Sequence, residues 1–247
     1  MDKLLIARGL SKVYPGLTRP AVVGLDITLS SGQILGLLGP NGAGKTTSLA
    51  MLSTRLQPTS GELRIEKMAA RPHKRLVRQR IGYVPQDIAL YGDLTGRENL
   101  LFFGSLYGLT GERLPKRVEQ CLDFVLLGKV GEQQVGTYSG GMKRRLNLAV
   151  ALLAEPPILL LDEPTVGIDA QSRSLILESL ATLAARGNAL VYTTHYMEEV
   201  EQLCDTVIIL DGGEVIARGT PAELVAREAC ANLGDLFLKL TGKSLRE

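Results

Sequence analysis

Apolar residues along the chain follow two spacings, and each spacing predicts a different kind of element. Short runs in which apolar residues alternate with polar ones or follow one another predict β-strands. Such runs lie at 4–7, 22–29, 33–38, 62–65, 81–84, 158–161, 189–193 and 207–210. Apolar residues three and four positions apart predict helices at 45–56, 97–107, 115–127, 141–154 and 171–186.

The order of these elements indicates one α/β domain. Strands dominate the start, helices dominate the segment after residue 86, and strand and helix alternate after residue 158, as in a parallel sheet. A chain of 247 residues suits a single domain spanning 1–247. We expect a helical insert at about 87–155 and a short helical tail at about 228–247. An apolar stripe in the tail, Leu233, Leu236, Phe237 and Leu240, favours core packing over partner docking.

Composition indicates the class of protein, its partners and its cellular location. Hydrophobic residues make up 45% and charged residues 22%, which is typical of a folded globular chain. Lys and Arg exceed Asp and Glu by only 28 − 26 = 2, so no nucleic-acid partner is expected. A basic run at 71–80 is interpreted as a solvated helix face because no aromatic residue accompanies it. Three widely spaced cysteines favour a reducing, cytoplasmic location.

A glycine-rich segment carries the first chemical motif. It matches the phosphate-loop pattern G-x-x-x-x-G-K-[ST], follows a predicted strand and opens a predicted helix. Backbone N–H groups of such a loop bind phosphate oxygens, the lysine neutralises phosphate charge, and the last hydroxyl reaches Mg²⁺. The residues assigned to nucleotide binding here are Gly39, Pro40, Asn41, Gly42, Ala43, Gly44, Lys45, Thr46 and Thr47. The alternative, an ordinary glycine-rich turn, does not explain the flanking strand and helix.

Two carboxylates end the aliphatic strand at 158–161. Provided that this strand lies beside the strand of the phosphate loop, Asp162 is expected near the metal and Glu163 near the γ-phosphate. A carboxylate in the second position polarises an attacking water, which is the role of a general base. The fold class is therefore predicted as an α/β P-loop NTPase with a parallel core sheet, an N-terminal antiparallel β region and an inserted helical subdomain.

The segment Thr137-Tyr138-Ser139-Gly140-Gly141-Met142, which precedes that strand by one short helix, resembles the signature motif of the ATP-binding cassette (ABC) family. The resemblance covers nearly the whole chain. Tyr14 occupies the place of the adenine-stacking aromatic, Gln86 that of the Q-loop, Asp169 that of the D-loop, and His195 that of the switch histidine. Taken singly, Tyr14 is more often a half-buried strand aromatic, His195 is also typical of a core residue, and Gln86 is typical of an ordinary loop.

This resemblance implies ATP hydrolysis in a head-to-tail dimer, a homodimer or a heterodimer. The hydroxyl of Ser139 and the amides of Gly140 and Gly141 would contact ATP bound to the other subunit. The implied catalytic residues are Glu163, His195 and Gln86, and the implied Mg²⁺ ligands are Thr46, Gln86 and Asp162. Tyr138 and Met142 replace the leucine and glutamine of the commonest signature, LSGGQ, which leaves the glutamine contact open.

Three further segments, 138–146, 94–100 and 237–242, are similar to the drug-resistance and sodium or lipid exporter branch of bacterial ABC ATPases. This branch implies a separate integral membrane permease, with the ATPase peripheral on the inner face of the cell membrane. The segment 87–93 and the helix to Tyr107 are predicted to dock that permease, although the same apolar side chains would also suit the core of the insert. Alternatives are a soluble ABC ATPase in iron–sulfur assembly or another non-transport process, and a regulator without hydrolysis; a regulator would be expected to lack Glu163 or His195.

Overall fold

The computed structural model describes residues 2–16 and 18–242. The strands are β1 (Lys3–Lys12), β2 (Val22–Ser30), β3 (Ile34–Leu38), β4 (Ser60–Ile65), β5 (Met68–Ala69), β6 (Ile81–Val84), β7 (Ile158–Asp162), β8 (Ala189–Thr193), β9 (Thr206–Asp211) and β10 (Glu214–Gly219). The helices are α1 (Lys45–Leu52), α2 (Lys74–Gln79), α3 (Gly96–Leu106), α4 (Arg113–Phe124), α5 (Gly140–Leu152), α6 (Ala170–Ala185), α7 (Met197–Leu203), α8 (Pro221–Arg227) and α9 (Leu233–Thr241).

The N-terminal strands form the predicted antiparallel region. Its order is β2-β1-β4-β5, and β1 pairs antiparallel with both β2 and β4. Along β1 the buried residues Leu5 and Ala7 alternate with more exposed ones, as a sheet with one covered face requires. The covered face packs in one apolar cluster with Leu49 and Leu52 of α1 and with Leu37 of β3. This layer therefore supports the helix that follows the glycine-rich loop.

The second sheet forms the centre of the molecule and has the order β10-β9-β3-β8-β7-β6. Strands β9, β3, β8, β7 and β6 are parallel, and β10 joins β9 antiparallel at one edge. The prediction of a parallel core is confirmed. The supposition that β7 lies beside β3 is wrong, because β8 lies between them. A chain pattern identifies buried strands but carries little information about their order in the sheet.

Successive residues of the central strands pack in two different apolar clusters, one on each face of the sheet. Leu35 and Leu37 of β3 pack towards α1, whereas Ile34 and Leu38 pack in a second cluster with helices of the opposite face. This period of two places apolar side chains on both faces, which is why the strands read as continuous apolar runs. The tail stripe belongs to the second cluster, with Leu233, Leu236 and Phe237 fully buried, so core packing is confirmed there. Residues 243–247 of the tail lie outside the described residues.

Helices α3, α4 and α5 occupy the stretch between β6 and β7. Helix α3 begins with a capping box, in which the Thr95 hydroxyl accepts from the Glu98 amide and the Glu98 carboxylate accepts from the Thr95 amide. Leu100, Val118 and Leu146, one from each helix, are buried and pack together in the second cluster. The three helices thus share one core, which is continuous with that of the parallel sheet.

Several boundaries differ from the sequence prediction. Helix α1 ends at Leu52 instead of residue 56, because Thr54 adopts a φ of 59° that a helix cannot continue. Helices α7 and α8 and strand β10 are short and were not predicted. In α2 only Val77 is buried, which confirms the solvated basic face. Within residues 2–16 and 18–242, no helix is both long and apolar enough to cross a membrane.

Candidate functional site

The glycine-rich loop joins β3 to α1 and is shaped by close backbone contacts. A Cβ on Gly39 would lie 2.5 Å from the carbonyl oxygen of Leu210, and a Cβ on Gly44 would lie 2.5 Å from that of Ala21. Gly44 also has a φ of 104°, a conformation that residues with a side chain rarely adopt. The sequence pattern requires glycine at these two positions, and the structure gives the steric reason. Helix α1 then begins at Lys45, with its first amide groups directed back towards the loop.

Lys45 is buried, with 7% of its side chain exposed. Its ammonium donates to the carbonyl oxygens of Gly39 at 2.7 Å and Pro40 at 3.4 Å, and it lies 3.9 Å from Oε1 of Glu163. Burial lowers the pKa of Lys45, while the charges of Glu163 and Asp162 oppose that shift. The loop thus holds a poorly solvated cation against its own backbone, where an oxyanion of a ligand would gain most from it.

Asp162 ends β7 and is almost fully buried at 2% exposure. Its Oδ1 accepts from the Thr193 hydroxyl at 2.9 Å, and its Oδ2 accepts from the Tyr83 hydroxyl at 3.4 Å. Burial, together with the Asp162 charge, raises the pKa of Tyr83 to about 12, so this phenol remains a donor at neutral pH. Both partners fix the orientation of the carboxylate, which is a requirement for a metal-binding or phosphate-sensing group.

Glu163 has an unusual backbone and a crowded carboxylate. Its φ is 47°, in the left-handed region, and its amide donates to the carbonyl and hydroxyl oxygens of Thr193 at 3.1 and 3.0 Å. Its Oε2 accepts from Nε2 of Gln86 at 3.1 Å and lies 3.5 Å from Nδ1 of His195. A non-glycine residue in this conformation is strained, and such strain clusters at functional sites. Lys45, Gln86 and His195 all converge on this one carboxylate.

Sheet topology explains the convergence. The phosphate loop, Gln86, the two carboxylates and His195 follow the carboxyl ends of β3, β6, β7 and β8, which are parallel and hence end at one edge. Leu37, Thr193 and Asp162 occupy one row across β3, β8 and β7. Glu163 therefore reaches Lys45 even though β8 separates their strands.

Tyr14 and Thr46 lie beside the loop on its solvent side. The Tyr14 hydroxyl lies 3.3 Å from the hydroxyl of Thr47 in the first turn of α1, and Nζ of Lys12 lies 5.5 Å from the Tyr14 ring centroid. Thr46, in the same turn, is exposed. Tyr14 is half-buried next to the loop, a position compatible with the predicted stacking on a base.

The predicted signature segment starts a different helix. Ser139 is the N-cap of α5, and its hydroxyl accepts from the Met142 amide at 3.2 Å. Gly141 packs against Ser172 so closely that a side chain there would collide with the serine. Asp169 caps α6 by accepting from the Ser172 amide and hydroxyl, both at 2.8 Å, and these bonds lower the pKa of Asp169. The segment is thus packed against the start of α6 and not against the glycine-rich loop.

The two departures from the commonest signature have structural roles. Tyr138 is buried, and its hydroxyl donates to the carbonyl of Val130 at 2.7 Å within the insert. Met142 packs at the edge of the second apolar cluster. Neither change removes the Ser139 hydroxyl or a backbone amide from the start of α5, but the Met142 thioether cannot replace the side-chain donor of the glutamine.

Sequence reasoning missed the groups that orient the acidic residues. Tyr83 and Thr193 were assigned no role, although both are polar residues near the ends of apolar strands, which is a usable signal. It also missed buried Glu199, whose carboxylate accepts hydrogen bonds from the hydroxyls of Tyr192 and Thr194 at 2.6 Å each. Both donors lie just before His195 in the sequence. Nothing in an acidic helix segment distinguishes Glu199 from its exposed neighbour Glu198.

Comparisons with known proteins agree with the interpretation of this site as a nucleotide-binding site. Residues 22–166 match the family model described as ABC transporter. The linearmycin resistance ATP-binding protein LnrL of Bacillus subtilis is 43% identical over 244 residues, covering 99% of this chain and 76% of that protein. The Nod factor export ATP-binding protein I of Burkholderia lata is 44% identical over 216 residues, covering 87% of this chain and 71% of that protein.

Solved structures are similar over most of their length. The ATP-binding subunit of an ABC transporter superposes with a TM-score of 0.85 at 28% identity, covering 96% of this chain and 99% of that one. A dimeric ATP-binding cassette in a post-hydrolysis state with ADP and Pi gives 0.79 at 26% identity, covering 88% and 98%. CbiO1 of Clostridium perfringens, described as part of the transporter complex cbiONQ, gives 0.83 at 28% identity, covering 92% of each chain.

Proposed function

This chain belongs to the ABC transporter family as an ATP-hydrolysing subunit of the exporter type, and we propose that it works as a head-to-tail dimer of two copies bound to a separate membrane permease. The predicted ATPase and P-loop fold are confirmed by these relatives and by the similar solved structures. The roles of individual residues, the dimer and the permease contact are the proposal.

One observation carries the assignment of the catalytic centre: Lys45, Gln86 and His195 all contact the carboxylate of Glu163. We assign Glu163 as the base that takes a proton from the attacking water. Gln86 orients that carboxylate and the water, Lys45 neutralises phosphate charge, and His195 holds the γ-phosphate side of the site. The amides at the start of α1 bind the remaining phosphate oxygens, and Tyr14 stacks on the adenine.

The donor set fits Mg²⁺. Asp162 offers a carboxylate already oriented by Thr193 and Tyr83, Thr46 offers a hydroxyl, and Gln86 offers an amide oxygen. These are hard oxygen ligands, and within the described ranges, 2–16 and 18–242, no cluster of three His, Cys, Asp or Glu side chains competes as a metal site. Mg²⁺ prefers such sparse sets, because phosphate and water complete its shell. When bound, the ion would neutralise charge that develops on the phosphate oxygens.

The start of α5 supports the dimer. Ser139, Gly140 and Gly141 provide a hydroxyl and helix-terminal amides suited to a phosphate, on a helix packed against the Asp169 segment. The chain's own loop already serves one nucleotide. We therefore assign this helix start to the γ-phosphate held by the other copy, with Asp169 near the junction. One similar cassette is described as dimeric.

A groove between the core sheet and the insert is the proposed permease site. It has a volume of about 770 Å³ and is lined by Tyr83, Pro85, Asp87, Phe103 and Tyr107, among others. Tyr107 is 48% exposed at its rim, and the nearby rings of Tyr91 and Phe102 are also exposed. A short permease helix with apolar side chains would cover these rings. Such docking would hold the chain at the inner face of the cell membrane, and the groove begins at the residue next to Gln86.

The Glu163→Gln variant tests the assignment of the base. The amide preserves size and the contact with Gln86 but cannot accept the proton, so we expect ATP turnover to fall by about 10²- to 10⁴-fold. Mg-ATP should still bind and the ATP-bound dimer should accumulate, which size-exclusion chromatography with light scattering would measure. Turnover like that of the wild type would remove Glu163 from this role.

A further inference from the structure

Two consecutive arginines on α5 contact different parts of the molecule. The Arg144 guanidinium donates to the carbonyl oxygen of Gln86 and, at 3.3 Å, to that of Val166. The Arg145 guanidinium donates to the carbonyls of Val125 and Leu126, at 2.8 and 3.2 Å, at the end of α4. Arg144 thus joins the insert to the nucleotide-binding core, whereas Arg145 joins two helices inside the insert.

The Arg144 contact is a buried one. Only 8% of the residue is exposed, and burial lowers its pKa against the opposing charges of Asp87 and Glu163. Removing a guanidinium from water is costly, so such a group is retained where its hydrogen bonds fix a geometry. Asn147, one turn further along the same helix, donates to the carbonyl of Pro85 at 3.3 Å. Helix α5 therefore holds the backbone of both residues, 85 and 86, at the end of β6.

The two residues whose carbonyls Arg144 holds are also hydrogen-bonded to Glu163. Gln86 donates to Glu163 through its side chain at 3.1 Å. Val166 donates its amide to the carbonyl of Glu163 at 3.3 Å and precedes the turn that leads to Asp169. A planar guanidinium with several fixed donors suits two carbonyls at once, and a lysine ammonium does not hold the same fork. Arg144 therefore joins α5 to two residues that hydrogen-bond to Glu163.

We propose that Arg144 is a positioning residue that links the two ATP sites of the dimer. The start of α5 contacts ATP of the other copy, and Arg144, about one turn later, holds Gln86 and the segment after Glu163 in its own copy. Closure of one site then orients the base of the other, which makes hydrolysis cooperative in ATP. This inference rests on the head-to-tail dimer proposed above.

The test compares Arg144→Lys with the matched control Arg145→Lys. Steady-state hydrolysis is measured against ATP concentration, ATP affinity is measured on the monomer, and dimer formation with Mg-ATP is measured in the Glu163→Gln background. We expect wild type and Arg145→Lys to show a Hill coefficient above one. Arg144→Lys should have a coefficient near one and a kcat lower on the order of 10²-fold, with unchanged monomer affinity and a retained dimer.

Three outcomes would overturn the link. The first is a wild-type Hill coefficient of one, and the second is an Arg144→Lys variant that keeps wild-type cooperativity and kcat. The third is an equal loss in both arginine variants together with a lower melting temperature, which would mean that Arg144 only stabilises the fold. If the Glu163→Gln background forms no dimer with Mg-ATP, the head-to-tail arrangement itself fails and the inference fails with it.

Discussion

Two glycine-rich helix starts in this chain share a chemistry and differ in their surroundings. The start of α1 follows the loop ending at Gly44, and the groups proposed as catalytic, at the ends of β6, β7 and β8, surround it. The start of α5 follows Ser139, and the groups against it belong to Gly167, Ile168 and Ser172, at the beginning of α6. Both offer amides of a helix N-terminus to an anion, but only the first has the proposed base and a buried cation beside it.

In the proposed dimer, this difference assigns the two helix starts at each ATP site to different copies. A phosphate site with catalytic groups is built locally, by strands that end at one edge of a sheet. A phosphate-binding helix start without them would contact the nucleotide of a second copy in the proposed dimer. Substitutions that damage one helix start and spare the other test this assignment.

The largest contrast is expected between Lys45→Ala and Ser139→Arg. Loss of the Lys45 ammonium removes a charged hydrogen bond to phosphate and should weaken ATP binding to the monomer by about 10- to 10²-fold. The Ser139→Arg variant should bind ATP as a monomer like wild type and yet lose turnover, because the larger side chain blocks the other copy's phosphate. Isothermal titration and an ATPase assay separate the two effects.

Equal loss of monomer affinity in both variants would contradict this comparison. It would mean that the start of α5 contributes to the pocket of its own chain, and the head-to-tail arrangement would have to be abandoned.

A smaller effect is expected at the groove, where Tyr107→Glu should reduce copurification of the permease by about tenfold, since burying a new charge against an apolar helix is unfavourable. The ATPase activity of the isolated chain should stay unchanged. Leu126→Glu is the control, because Leu126 is also in the insert and is 64% exposed. If Tyr107→Glu instead loses activity and folding together, the ring belongs to the core and the docking assignment is wrong.

The smallest effect concerns Tyr83. Its folded-state pKa is raised from 10.0 to about 12, so the folded protein holds the phenolic proton more tightly than the unfolded chain does. The resulting stabilisation is fully present below pH 10.0 and is lost as pH rises towards 12. We therefore expect the stability advantage of wild type over Tyr83→Phe to shrink across this window. Urea unfolding of both proteins at several pH values measures it, and a constant difference would contradict the assignment.

The sequence alone predicts those features of the fold and the site that depend on residues close together along the chain. The glycines at 39 and 44 are required by backbone contacts within one loop, and the two acids after four aliphatic residues mark a strand end. Continuous apolar runs identify the buried strands, because successive residues of each strand pack in different cores. These features depend on neighbours along the chain, so the pattern alone reveals them.

What the sequence did not reveal depends on partners distant along the chain. The position of β8 between β3 and β7 follows from pairing in space, and no short segment records it. Tyr83 reaches Asp162 across 79 positions, and Arg144 reaches Gln86 across 58. Strand β10 was missed because its pattern of partly exposed residues is that of an edge strand. Roles of this kind require the register of the sheet and the packing of the insert.

The most direct test of the central claim is a cross-link between the two helix starts. Asn41 in the phosphate loop is exposed, so one chain carries Asn41→Cys and another Ser139→Cys, both with Glu163→Gln and Cys230→Ser. Cys121 and Cys204 are buried and can stay. The two chains are mixed with a short bis-maleimide, with and without Mg-ATP.

We expect a covalent product of twice the chain mass that contains one copy of each variant and forms only with Mg-ATP. When both cysteines are placed in one chain, the link should still join two chains. A link within a single chain, or no dimeric product with Mg-ATP, would contradict the claim that the start of α5 completes the ATP site of another copy.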